Sequence, residues 1–205
     1  AIYRAKKVVI AGDTKQLRPS SLGMGRLEDL DEYYEEEVLK DVSMDAKSLL
    51  DLARYKYQEI ILNYHYRSRY EELIAFSNHA FYQANLFVSP NQQKALKPPI
   101  EYIYVKDAIF ENRRNELEAK KVVTLLKKIF RERENSESIG VITFNSSQRD
   151  LIENLIDEEL FKKGRYQKTF ERELFREEDG EDRSLFVKNI ENVQGEERDI
   201  IIFSM

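Results

Sequence analysis

No cysteine occurs in the 205 residues, which excludes disulfides and thiolate metal sites and suits a reducing compartment. Only two histidines are present, His65 and His79. They are too few to build a zinc site readily, so packing or hydrogen bonding is their expected role, and no metal site is expected. No apolar run approaches the ~20 residues needed to cross a bilayer. A membrane partner is therefore not expected, and the expected location is cytoplasmic. The opening AIYRAKKVVIAGD is not a signal peptide, because its charged part runs at once into a short strand-like segment. An excess of positive charge is also missing: 33 Lys and Arg stand against 38 Asp and Glu, a net charge of −5. The surface as a whole is not a nucleic-acid footprint, and any such contact must be local. Internal repeats are absent.

What is present is an alternation of strand-like and helix-like segments. KKVVIAGD reads as a buried strand with a polar loop, TKQLRPSS, at its carboxyl end. Residues 22–44 hold a dense acidic stretch, read as a solvated connector. DAKSLLDLARY has helical spacing with Asp45 as its N-cap. EIIL reads as a strand, and NYHYRS as the loop after it. Residues 69–82 place Tyr70, Leu73, Ile74 and Phe81 on one helical stripe. IEYIYV alternates like a strand. NELEAKKVVTLLKKIFRERE is an amphipathic helix, IGVITF a strand, and SSQRDLIENLIDEELFKK a helix with Leu151, Ile152, Leu155 and Ile156 inward. Residues 164–183 are charged and irregular, with room for one helix. LFVKNI and DIIIFS are strands flanking ENVQGEER. Continuous apolar strands separated by helices predict an α/β fold: a parallel sheet with helices on both faces. In such sheets ligands sit beyond the carboxyl ends of the strands.

Four segments, in order, carry a resemblance. VVIAGDTKQLRP resembles helicase motif III, usually Gly-Asp-x-x-Gln-Leu-Pro-Pro. LNYHYRSRYEELIAFSNHAFY resembles motif IV, with a Tyr-Arg pair before a helix and a Phe-x-Asn-x-x-Phe-Tyr ending. IGVITFNSSQRDLI resembles the segment usually written Ile-Gly-Val-Ile-Thr-Pro-Tyr. VKNIENVQGEERDIIIFS resembles motif V. Together they span residues 8–204 of the chain, which is similar to superfamily 1 helicases of the Upf-like branch. The resemblance implies a RecA-like lobe of a P-loop NTPase. There are departures: Arg18 stands where motif III usually has proline, Phe144 and Asn145 replace Pro-Tyr, and Asn189 and Glu191 stand near the usual Thr and Asp of motif V. There is no Gly-x-x-x-x-Gly-Lys-Ser/Thr phosphate loop and no Asp-Glu magnesium motif.

The resemblance assigns roles, each with an ordinary rival. Arg67 is the expected arginine finger on the γ-phosphate; its rival is a surface arginine paired with Glu71 or Glu72. Gln16 is expected at the γ-phosphate or the attacking water, and Asp13 is expected to tie that loop to magnesium. The rival is a tight turn in which Gly12 gives backbone freedom and Asp13 caps. Gly195 lets backbone approach phosphate closely, Glu197 matches the ribose-binding glutamate, and Gln194 holds the loop; the rival is a Gln-Gly turn. Thr143, Asn145 and Asn189 are candidate nucleic-acid contacts, against simple capping of the following helix. Glu118 and Lys120 have nuclease-like spacing but lack an upstream metal carboxylate, so a solvated helix face is preferred.

The expected organisation is the end of a first RecA-like lobe in residues 1–21, an acidic connector with a helix in 22–58, and a second lobe in 59–205 that stops before motif VI. Both ends look cut. The expected function is the C-terminal motor lobe of an ATP-dependent DNA or RNA helicase or translocase. It would complete an ATP site with a first lobe missing from this sequence and grip single-stranded DNA or RNA. ATP and magnesium would bind the full-length protein, and the fragment alone would bind neither and be inactive. The alternative is a catalytically degraded helicase-like module that binds nucleic acid or protein.

Overall fold

The computed structural model describes residues 4–16, 48–89, 98–133, 136–162 and 164–205. These divide into two compact units, residues 1–102 and 103–205. The acidic connector and the expected N-cap Asp45 lie outside the described residues.

In the first unit, helix α1 (Leu49–Lys56) is capped by Ser48, whose hydroxyl accepts the amide of Asp51 at 3.1 Å. Strand β1 (Tyr64–His65) pairs in parallel with β2 (Phe87–Val88), matching Tyr64 to Phe87 and His65 to Val88. Parallel neighbours need a crossover, and helix α2 (Glu71–Phe81) supplies it. The end of α2 shows why its sequence reads Phe-x-Asn-x-x-Phe-Tyr. The Asn78 amide donates to the carbonyl of Leu86 at 3.1 Å and accepts its N–H at 3.0 Å, which locks the return into β2. Phe76 and Phe81 meet edge to face with centroids 6.0 Å apart.

The second unit contains α3 (Glu116–Glu132), β3 (Ile139–Thr143), α4 (Ser146–Phe161), α5 (Gln167–Leu174), a hairpin of β4 (Glu177–Glu178) and β5 (Glu181–Asp182), β6 (Phe186–Asn189), a 3₁₀ turn (Ile190–Asn192) and β7 (Ile200–Ser204). The sheet order is β6-β3-β7, all parallel. All five residues of β3 are buried, the apolar run at 139–142 and Thr143 at its end. Ile139, Val141, Val187, Ile200 and Ile202 share one face and pack with Val122, Leu126, Ile152, Ile156 and Phe170 from α3, α4 and α5. On the other face Gly140 makes room for Phe186: a Cβ at Gly140 would lie 2.4 Å from the phenyl ring. The expected α/β class, a parallel sheet packed by helices, is what the structure shows. Among the described residues no helix is long and apolar enough to cross a membrane.

Three expected strands are not strands. Residues 8–11, 59–62 and 100–105 form no ladder among the described residues. Val9, Ile61, Leu62 and Tyr102 are more than 70% exposed. β-Branched or alternating sequence favours an extended chain, but a strand exists only where a neighbour takes up its N–H and C=O groups. The N-cap of α1 is Ser48, three residues after the expected position. The β4–β5 hairpin and the two-residue strands β1 and β2 were not expected.

A buried ion cluster holds α5 in place. The Glu173 carboxylate, 3% exposed, accepts hydrogen bonds from Arg133 and from Arg172 (3.0 Å), with Arg176 at 3.4 Å. Burial pushes the Glu173 pKa up, but the hydrogen bond and charge of Arg133, aided by Arg172 and Arg176, outweigh it and hold the group below the usual glutamate range. A depressed carboxylate contributes stability that is present above its unfolded pKa and lost as pH falls through its folded pKa. We expect Glu173→Gln to destabilise the chain by about 3 kcal/mol at neutral pH, since removing one partner of a buried pair strands the others. Denaturant titrations of both proteins should converge as pH drops below the ordinary glutamate value of about 4.3. A gap that stayed constant with pH would show that the charge is not what matters.

Candidate functional site

Two loops in the first unit carry the candidate residues. The loop at residues 12–16 is an Asx-type turn around Asp13. Its Oδ1 accepts the amide of Lys15 at 2.9 Å, and its Oδ2 accepts Gln16 Nε2 at 3.2 Å. Tyr82 Oη donates to the same Oδ2 at 2.6 Å. Burial first, and the hydrogen bond and charge of Asp13 next, push the Tyr82 phenol up to about 12. Gly12 packs close to α1, where a Cβ would sit 2.9 Å from Leu50 Cδ2. Gln16, the expected water-positioning residue, is exposed and oriented by Asp13.

The second loop follows β1. Its exposed Arg67 is bracketed by His65 and Ser68. His65 Nε2 accepts the Ser68 amide at 3.1 Å and lies 2.8 Å from its hydroxyl. The imidazole therefore closes a three-residue turn whose tip carries Arg67. His65 has the hydrogen-bonding role expected from its sequence context, and this support for Arg67 was not anticipated.

In the second unit the candidates fall in two places. β3 and β6 are in register, so Thr143 and Asn189 end their strands side by side at the carboxyl edge of the sheet. Asn145 follows there as N-cap of α4 and accepts the amide of Gln148 at 2.9 Å. Thr143 is buried, and its hydroxyl donates to the carbonyl of Asn145 at 2.9 Å. The Asn189 side-chain oxygen is enclosed without a hydrogen-bond partner. Gln148 is fully buried. It accepts the amide of Asn115 at 2.7 Å and donates to the Asn115 carbonyl at 3.2 Å and to Ser204 at 3.0 Å, which joins α4, the start of α3 and β7. Glu118, of the nuclease-like pair, is committed to capping: it pairs with Asn115 and accepts the amide of Met205 at 2.7 Å.

Residues 190–198 run back from that edge to the start of β7. Gln194, Gly195 and Glu197 are exposed on this run, and Gly195 has φ +89°, a conformation that suits only glycine at low cost. Arg198 anchors it. Its side chain is 4% exposed, and its guanidinium donates to the carbonyls of Ser184 (2.9 Å) and Glu197 (2.8 Å). It also pairs with Asp182 at 3.3 Å and Glu196 at 3.6 Å and lies 4.9 Å from the Phe186 ring centroid. Lys188 pairs with Glu196 on the same face. At the other end of the run Asp199 accepts both the amide (2.9 Å) and the hydroxyl (2.7 Å) of Ser138, fixing β7 to β3. Residues 181–183 and 195–198 line a polar cleft of about 290 Å³. Gly195 and Glu197 are thus brought together on a fixed run, away from the edge where Thr143, Asn145 and Asn189 cluster. Arg198 was missed, because an arginine between a turn and a strand has no distinctive spacing. Among the described residues no group of three or more His, Cys, Asp or Glu could hold a metal ion.

Comparison with known proteins places the chain in a family. A family described as an AAA domain matches residues 44–205. All of the chain aligns with a Mycoplasma genitalium protein named uncharacterized ATP-dependent helicase MG140, at 41% identity, and with its Mycoplasma pneumoniae homolog at 40%. The chain spans 18% of the length of each. No solved structure matches it.

If Arg198 holds the 194–198 run, Arg198→Ala should loosen that run and little else. We expect amide exchange of residues 194–198 to quicken at least about tenfold, which corresponds to ~1.4 kcal/mol of lost local protection. The amides of β3 should keep their rates. Unchanged exchange at 194–198 would contradict the anchor.

Proposed function

Because the chain belongs to the AAA-domain family of superfamily 1 helicase-related proteins, we propose that it is the C-terminal motor lobe of an ATP-dependent helicase or translocase, preceded by the last loop of the first lobe. The observation that carries this reading is the alignment of the whole chain with part of two proteins named as uncharacterized ATP-dependent helicases, beside the four motif segments in order in its own sequence. Supporting it, the glycine-bearing run at 194–198 is held open by a buried arginine, and Arg67 stands at the tip of a turn locked by His65.

In this reading the phosphate loop and the magnesium ligands come from other parts of the complete polypeptide. Asp13, whose carboxylate engages Gln16 and Tyr82, ties the Gln16 loop to that magnesium site. What these residues contribute is positioning and charge. Phosphoryl transfer asks mainly for an oriented nucleophile and for positive charge on the γ-phosphate. Gln16 orients the attacking water, Arg67 neutralises charge as it grows, the Gly195 backbone beds the phosphates in a loop held by Gln194, and Glu197 accepts from a ribose hydroxyl. A single strand of DNA or RNA is gripped at the carboxyl edge beside Asn189 and Asn145, through its phosphates and locally, as the net charge of −5 demands.

Arg67 decides the matter. An arginine that acts on charge developing in the transition state affects turnover far more than ATP affinity. In the complete polypeptide Arg67→Ala should lower strand-stimulated ATP hydrolysis by roughly a thousandfold or more, with ATP binding kept within about tenfold, ~1.4 kcal/mol. Arg69→Ala should keep most activity. Normal turnover in Arg67→Ala would remove the finger assignment.

A further inference from the structure

One hydrogen bond in the first unit joins segments 69 residues apart and serves no evident packing need. Tyr82 Oη donates to Asp13 Oδ2 at 2.6 Å, the oxygen that also accepts Gln16 Nε2 at 3.2 Å. The remaining parts of the Phe-x-Asn-x-x-Phe-Tyr ending are accounted for by the fold: Asn78 ties Leu86, and Phe76 meets Phe81. A phenylalanine at 82 would fill the same space, so the hydroxyl asks for a different explanation. Asp13 Oδ1 is occupied by the Lys15 amide, which leaves Oδ2 to arrange the Gln16 side chain. With Tyr82 attached, the carboxylate is held at both oxygens and cannot rotate without breaking a bond. The phenol remains a donor over the whole neutral range, since its pKa is pushed up to about 12 by burial and by Asp13. Tyr82 is also the C-cap of α2, the helix that follows the Arg67 turn.

We infer that Tyr82 is a positioning residue: its hydroxyl fixes the Asp13 carboxylate so that Asp13 presents Gln16 for ATP hydrolysis. The same contact ties the Gln16 loop to the helix behind Arg67. This rests on the reading that Gln16 serves hydrolysis. A bond of this kind sets geometry and does not touch ATP, so its loss should appear in kcat and not in KM. Small misplacements of a reacting group cost up to about a hundredfold in rate.

The test uses the complete polypeptide, with strand-stimulated ATP hydrolysis measured for Tyr82→Phe, Gln16→Ala and the double variant. Turnover is expressed per titrated nucleotide-binding site, so that loss of folded protein is not read as loss of rate. Expected are a kcat about tenfold lower for Tyr82→Phe, KM for ATP within about twofold, and a double variant no slower than Gln16→Ala, because residues acting as one unit are not additive. Normal kcat in Tyr82→Phe beside an impaired Gln16→Ala would overturn the inference and leave the helicase reading standing. Additive losses, or a change confined to KM, would also overturn it. Normal turnover in Gln16→Ala would remove the reading of Gln16 and the inference with it.

Discussion

The second unit depends on the pairing of β3 with β6 on one side and β7 on the other. Parallel partners in register bring Thr143 and Asn189 to one edge and oblige the chain between β6 and β7 to travel the whole length of the sheet. That return run is where Gly195 and Glu197 lie. A run of this length without regular structure would be loose if it were held only at its ends. Arg198 and Asp199 prevent this by bonding to Ser184 and Ser138, which precede β6 and β3. The polar anchors therefore follow from the sheet topology. A parallel sheet creates the long return, and partly buried charge-assisted hydrogen bonds make it a defined surface.

Similar logic governs the first unit on a smaller scale. Each candidate loop is a short turn closed by a neighbouring side chain: Asp13 for the Gln16 loop and His65 for the Arg67 turn. Each of these supporting groups is itself held, Asp13 by Tyr82 and His65 by Ser68. Functional side chains on loops gain precision only through such support.

Parts of this were legible in the sequence and parts were not, for physical reasons. α3, β3 and α4 were legible because each buries a complete face, and burial imposes periodicity: Val122, Val123 and Leu126 recur at helical spacing, and β3 is apolar up to Thr143. The capping of α3 by Asn115 and Glu118 differs from the solvated helix face expected for Glu118. The runs at 59–62 and 100–105 look like strands to any local rule, but pairing is a property of the neighbour and not of the run. The Arg133–Glu173 and Tyr82–Asp13 contacts join residues 40 and 69 apart. No pattern in one sequence pairs them. Among the candidate residues the motifs point to Arg67, Gln16 and Gly195 by type and order, whereas the contacts of His65, Tyr82 and Arg198 exist only in the folded chain.

The central claim is that these loops, on a chain with no phosphate loop of its own, meet ATP in the complete polypeptide. Hydrogen exchange of that polypeptide with and without a non-hydrolysable ATP analogue tests it most directly, because it reads contact without requiring turnover. The account predicts added protection in residues 12–16, 65–68 and 194–198, with the amides of β3 unchanged. Protection confined to residues outside this chain would contradict it.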